Sequence, residues 1–297
     1  CNYTTIMKRV IIFLSFFLFC NSLFSQMDLY RDTSVNVIEN NTNFKNAWAS
    51  GINAAQFNEI DLDLDGTMDL VVFDKSGNKL VPYLNKNGKF VFAPKYRSYF
   101  PELHDWVIFE DYNCDGKKDI YTYTSGGLGI YKNTSSSVLS FSLVTDLVLS
   151  DYGGPNPINI FISAVDIPAV SDVDYDGDLD ILTFKITGGF IEFHRNMAME
   201  QTGNCDTVIF QLEESCWGNF YEGLNNYTLN CQNCQCPPVI NHPNAKQKHA
   251  GSTLLLIDID NDYDHIIGRD DDDDDVDDVD DDNDDNDDDD DDDDNNN

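Results

Sequence analysis

Four short stretches of the sequence concentrate carboxylates at fixed spacing. Residues 61–69 read DLDLDGTMD, residues 111–119 DYNCDGKKD and residues 172–180 DVDYDGDLD, all of the form D-x-[DN]-x-D-G-x-x-D. A fourth stretch at 258–266, DIDNDYDHI, keeps the first three acids but has Tyr263 in place of the glycine and Ile266 in place of the last acid. Acids at positions 1, 3, 5 and 9 of so short a loop converge, and two carboxylates about 5 Å apart repel by roughly 3 kcal/mol at an effective dielectric near 20. A cation must offset that repulsion. Calcium suits the set, because it is hard, accepts six to eight oxygens and tolerates irregular geometry, whereas magnesium demands a near-ideal octahedron and ranks second. Gly66, Gly116 and Gly177 at position 6 permit the sharp turn such a loop needs. A solvated Asp/Asn/Gly turn is the plainer reading of one copy; three copies in one register argue against it. An EF-hand is excluded, since position 12 is Val72, Thr122 or Thr183 rather than an acid, and strands rather than helices flank the loops.

The elements that must position these loops repeat with them. Each loop runs into an apolar β-type segment (DLVVF at 69–73, DIYTY at 119–123, DILTF at 180–184). A glycine-containing turn follows, then a second run ending at Asn85, Asn133 or Asn196, then a third run, FVF at 90–92, FSL at 141–143 and FQL at 210–212. FNEI, VIF and PAV lead into the three loops. Each unit therefore predicts four short strands in meander order, with no helical periodicity beyond the N-terminal leader. The first acids of successive loops are 50, 61 and 86 residues apart, the last interval widened by a Cys-rich insertion at about 213–250. An all-β array of four-stranded units at this period predicts a β-propeller, incomplete, with about four units visible.

The loop running into an apolar strand resembles the VCBS/FG-GAP repeat family, whose relatives include the N-terminal propellers of integrin α-subunits. The resemblance covers residues 46–268. It implies three calcium sites: Asp61, Asp63, Asp65 and Asp69 with the Thr67 carbonyl; Asp111, Asn113, Asp115 and Asp119 with the Lys117 carbonyl; and Asp172, Asp174, Asp176 and Asp180 with the Asp178 carbonyl. A fourth, degenerate site would use Asp258, Asp260, Asp262 and Asp264. The leader and the Asn- and aromatic-rich body also resemble exported proteins of Bacteroidota.

Charge and leader set the setting. Of the 36 net negative charges, 21 come from Asp in residues 270–297, which leaves 15 for the rest. An acidic surface without a Lys/Arg cluster repels phosphate, so no nucleic-acid partner is expected. Met7, Lys8, Arg9 and the apolar run 10–19 predict a signal peptide cleaved after Ser25, with residues 1–6 upstream of the start. The apolar run is about half the length of a spanning helix, and no other segment is expected to cross a membrane. The domain plan is thus 1–25 leader, 26–45 lead-in, 46–268 repeats and 269–297 an Asp-rich tail that cannot bury a core, whether a genuine acidic tail or an interrupted reading frame.

Cys114, Cys205, Cys216, Cys231, Cys234 and Cys236 remain after processing, and export makes disulfides the default. Of the 15 possible pairings, Cys205 with Cys216, which bracket the strand TVIFQLEE, is the one expected. None of the five histidines lies in a nucleophile elbow or a zinc-protease helix, so no catalytic seat is visible. Trp48, Trp106 and Trp217 could stack on sugars but are expected in the core. The expected function is a secreted or cell-surface, monomeric, non-catalytic adhesion module presenting loops to an extracellular protein or glycan; the alternative is the propeller portion of a polysaccharide-active enzyme.

Overall fold

A computed structural model of the chain describes residues 32, 34–49, 51–223, 227–236, 253–257 and 266–267. The leader, the tail and the fourth acidic loop at 258–265 lie outside the described residues. The chain divides into two compact units, residues 1–50 and 51–297. In the first, β1 (Ile38–Glu39) and β2 (Thr42–Asn43) form a hairpin turned by Asn40 and Asn41, both at positive φ, and the Trp48 indole N–H donates to the Val35 carbonyl at 2.7 Å.

The second unit is all-β. β3 (Ala55–Ile60), β4 (Asp69–Asp74), β5 (Lys79–Asn85) and β6 (Phe90–Phe92) make a four-stranded antiparallel meander. β7 (Val107–Glu110), β8 (Asp119–Thr124), β9 (Gly127–Asn133) and β10 (Phe141–Thr145) repeat it. The third sheet uses β13 (Ala169–Ser171), β14 (Asp180–Phe184), β15 (Ile191–Asn196) and β16 (Phe210–Trp217) in the same order, with β11 (Leu149–Asp151) added parallel to β16 and β12 (Ile158–Asn159) beyond it. The only α-helix among the described residues is α1 (Ala198–Thr202). Every run expected as a strand is one, in the expected order. The sheets stand as blades of an incomplete β-propeller, not a closed barrel.

The apolar runs after the loops are nearly continuous because the second strand of each blade is buried on both faces. In β8, Ile120 packs into a cluster with Val71 and Phe73 of β4 and Val107 of β7, whereas its neighbour Tyr121 packs on the other side with Trp106, Ile130 and Ile181. In β14, Ile181 faces that second cluster while Leu182 and Phe184 face a third with Phe193 and Leu254. Side chains alternate across a strand, so one residue of each pair serves the preceding blade and one the next. Trp106 is fully buried, as expected, and Trp217 packs against the third cluster.

A fourth blade begins in register with the others. β19 (Leu256–Ile257) pairs antiparallel with β20 (Ile266–Ile267), and the pair Ile257 with Ile266 closes the loop at the same two positions as Ile60 with Asp69, Glu110 with Asp119 and Ser171 with Asp180. Leu254 N–H donates to the Ile167 carbonyl at 3.0 Å, which ties this segment to the third blade. The Cys-rich insertion includes a small hairpin of β17 (Tyr221–Glu222) and β18 (Tyr227–Thr228).

The cysteine expectation is corrected. Cys205 bonds to Cys114, 91 residues away, Cys216 bonds to Cys234, and Cys231 to Cys236. Cys205 and Cys216 cannot pair in this topology, because Cys216 is the seventh residue of β16 and the extended strand from Phe210 carries it away from Cys205, which precedes the strand. Among the described residues no helix is long and apolar enough to cross a membrane. Peptide mapping without reductant should recover Cys114 linked to Cys205; recovery of Cys205 linked to Cys216 would refute the arrangement.

Candidate metal centres

The three described acidic loops share one backbone course. Position 4 is left-handed in each (Leu64 φ 60°, Cys114 φ 58°, Tyr175 φ 61°), and so is the glycine at position 6 (84°, 82° and 103°). The position-1 carboxylate turns back over the loop: Asp61 accepts from the Asp65 and Gly66 N–H groups at 3.1 and 2.8 Å, Asp111 from Asp115 and Gly116 at 3.1 and 2.7 Å, and Asp172 from Gly177 at 3.0 Å. The position-5 carboxylate accepts from the N–H of position 7 in all three, Thr67, Lys117 and Asp178. Such Asx-type bonds hold the side chains at the loop mouth without a ligand.

Position 9 has a role the sequence reading did not assign. Asp69 Oδ2 accepts from Leu62 N–H at 2.8 Å and its Oδ1 from Asn85 N–H at 2.7 Å. Asp119 does the same with Tyr112 (3.0 Å) and Asn133 (2.6 Å), and Asp180 with Val173 and Asn196, both at 2.8 Å. One buried carboxylate thus clamps the loop to the end of the third strand of its blade. The recurrent asparagine was legible as a strand end. Its amide completes the turn, with Asn85 Nδ2 donating to the Met68 carbonyl and Asn133 Nδ2 to that of Lys118.

Of the expected ligands, the structure brings Asp61, Asp63 and Asp69 together, with ligand oxygens within 4.8 Å of one another, and likewise Asp172, Asp174 and Asp180. Asp174 and Asp176 also meet Glu200 of α1, a residue the loop pattern could not supply. In the second loop Asn113 stands in for an acid, and the additional carboxylate there is Asp206, next to Cys205, which accepts from Asn113 Nδ2 at 3.2 Å. Asp258, Asp260, Asp262 and Asp264 lie outside the described residues. The carbonyls of Thr67, Lys117 and Asp178 remain expectations.

Several oxygens in these loops are buried without a hydrogen-bond partner: Asp63 Oδ1, Asn113 Oδ1 and Asp178 Oδ1. Asn113 is 8% exposed and Asp178 1%. A buried acceptor left unsatisfied is unfavourable by about 1–3 kcal/mol, so this donor set fits a hard cation. The acidity of the carboxyls agrees. Burial pushes Asp180 up to about 8, and Asp119 and Asp178 to about 6, against the backbone N–H donors that pull the other way.

A second polar cluster is centred on two fully buried residues, Ser150 and His194. Ser150 Oγ lies 2.9 Å from His194 Nδ1, Glu192 Oε2 lies 3.6 Å from His194 Nε2, and the Tyr152 hydroxyl is 3.4 Å from the same carboxylate oxygen. The order serine, histidine, acid is that of a hydrolytic triad. Ser150 and His194 have no exposed surface, so a substrate has no route to the hydroxyl, and the cluster fastens β11 to β15. Its members come from two places some forty residues apart, Ser150 with Tyr152 and Glu192 with His194, and carried no motif.

Residues 61–122 match the family model of the FG-GAP-like repeat. The span opens on position 1 of the first loop and closes inside β8, just past the second loop, so it takes in one complete period. No curated protein and no solved structure matches the chain. The chain therefore carries an FG-GAP-like repeat within a blade-like all-β array.

Two outcomes follow from the clamp. Asp119→Ala leaves the Tyr112 and Asn133 N–H groups without acceptors and should destabilise the fold by about 2–4 kcal/mol, read by denaturant unfolding with chelator present. Because Asp180 and its counterparts hold their protons more tightly folded than unfolded, the unfolded chain ionises first as pH rises from about 4. Cation-free stability should therefore fall between about pH 4 and 8. Melting scans in chelator at pH 5 and pH 8 test the sign.

Proposed function

We propose that the chain is an extracellular, non-catalytic β-propeller repeat protein of the VCBS/FG-GAP kind in which calcium at the acidic loops makes the blades rigid enough to present their connecting loops to a protein or glycan. The observation that carries the reading is the threefold recurrence of one loop course, with carboxylates that converge in the first and third loops and in each loop a buried acceptor oxygen that nothing in the protein satisfies. Asp61, Asp63, Asp65 and Asp69 would hold the first ion, Asp111, Asn113, Asp115 and Asp119 the second, and Asp172, Asp174, Asp176 and Asp180 the third. Each ion supplies charge neutralisation. Three disulfides that use all six cysteines of the repeat region agree with an oxidising compartment, as the leader does.

A structural ion acts through mass action on the folded state. With a dissociation constant near 10⁻⁴ M, millimolar calcium adds about 1.4 kcal/mol per site, a large share of a typical domain stability once three sites are summed. Calcium added to chelator-treated protein should raise the melting temperature and slow proteolysis of the repeats, with magnesium a poor substitute. Asp65→Ala, which removes the position-5 carboxylate beside Gly66, should shrink the calcium-induced shift. Melting and proteolysis that ignore both calcium and chelator would make the loops ordinary acidic turns.

A further inference from the structure

In every described loop one basic side chain from the end of the blade's third strand reaches the carboxylates. Lys86 Nζ lies 2.7 Å from Asp63 Oδ2 and 3.5 Å from Asp65 Oδ2. Arg195 pairs with Asp174 and Glu200, and its Nη2 is 3.9 Å from Asp176. In the second loop, where position 3 is the neutral Asn113, Asp206 from the third blade is interposed: Lys132 Nζ is 3.3 Å from Asp206 and 3.9 Å from Asp115, while Asn113 donates to Asp206.

Single surface ion pairs mean little. Here the agreement among loops is informative, because the cation arrives from different backbone positions. Lys86 follows the recurrent asparagine, whereas Lys132 and Arg195 precede it. Two offsets thus deliver positive charge to position 5 of every described loop, and to position 3 as well in the first and third. The basic group takes an outer oxygen of Asp63 while Oδ1 stays buried without a partner, and Asn113 Oδ1 is likewise left open. The three basic side chains are 46%, 30% and 30% exposed, so each can swing into water.

We propose that Lys86, Lys132 and Arg195 are resident counter-ions that stabilise the acidic loops in their cation-free form and are displaced from the loop carboxylates they contact by an incoming divalent cation, each thereby setting the affinity of its own loop. The inference rests on the calcium reading above and adds to it a named determinant of affinity. A unit positive charge about 5 Å from a divalent ion, in surroundings close to water and screened by physiological salt, weakens its binding by roughly tenfold.

The test compares the full-length protein with Lys86→Met and Lys86→Arg, by calcium titration calorimetry and by melting in chelator. Lys86→Met should bind calcium at one site about tenfold more tightly and yet melt lower without calcium, and Lys86→Arg should match the parent in both. A residue with a merely structural part would lower melting in both conditions without tightening binding. Calcium binding by the parent with no tightening in Lys86→Met, or with equal tightening in Lys86→Arg, overturns the counter-ion assignment and leaves the calcium reading standing. A parent protein that takes up no calcium overturns both. Should Lys86→Met fail to fold, Arg195→Met read at the third loop decides by the same two measurements.

Discussion

The arrangement depends first on a carboxylate buried where two strands and a loop meet. Asp69, Asp119 and Asp180 each accept one backbone N–H from position 2 of the loop and one from the asparagine 16, 14 and 16 residues on. A carboxylate away from water is tolerable only where donors replace the water it has lost. That requirement fixes the length of the hairpin between loop and asparagine to within two residues. It also explains why the same residue is indispensable to the loop and so poorly solvated: the clamp needs burial to be strong, and burial leaves a charge that a nearby cation would relieve.

From the clamp outward, packing is between neighbours. Each interface between successive sheets has its own cluster, and the second strand of a blade contributes to two of them on alternating residues, as Ile120 and Tyr121 do. Stability in such an array is approximately a sum of unit and interface contributions. The Cys114–Cys205 bond adds a covalent link across one such boundary, from the second acidic loop to the segment after α1 that belongs to the third blade. Asp206, the next residue, is thereby held against Asn113, so the second loop is completed by a neighbour's side chain.

Most of the blade pattern was legible in the sequence because it is local. Period-2 patterning, the loop spacing and the recurrent asparagine located all twelve strands of the three described four-stranded meanders, since each of those strands pairs with its immediate neighbour in the chain. The features that escaped are non-local. β11 joins the third sheet in parallel with β16, sixty residues later, and its three residues carry no periodicity. Glu200, Asp206 and the partner of Cys205 are supplied by connections whose lengths vary between units. The basic partners had a faint signal, a Lys or Arg beside each recurrent asparagine, which acquires meaning only once the strand end is seen beside the loop mouth. The fourth unit divides the same way: its hairpin register follows the pattern at Ile257 and Ile266, yet Ile266 cannot supply the two acceptor oxygens of the clamp.

The left-handed residue at position 4 carries a consequence of a different kind. Its backbone shape is demanded by the loop, but its side chain is not, and the three loops place Leu64, Cys114 and Tyr175 there between carboxylates or carboxamides that do not change place. The loop thus keeps one uncommitted position among committed ones within five residues. An uncommitted position at a fixed rim location is where a repeat array can differentiate its copies: one codon written as cysteine turns a repeat into a rivet to its neighbour, and the odd-numbered ligand positions on either side are left as they were.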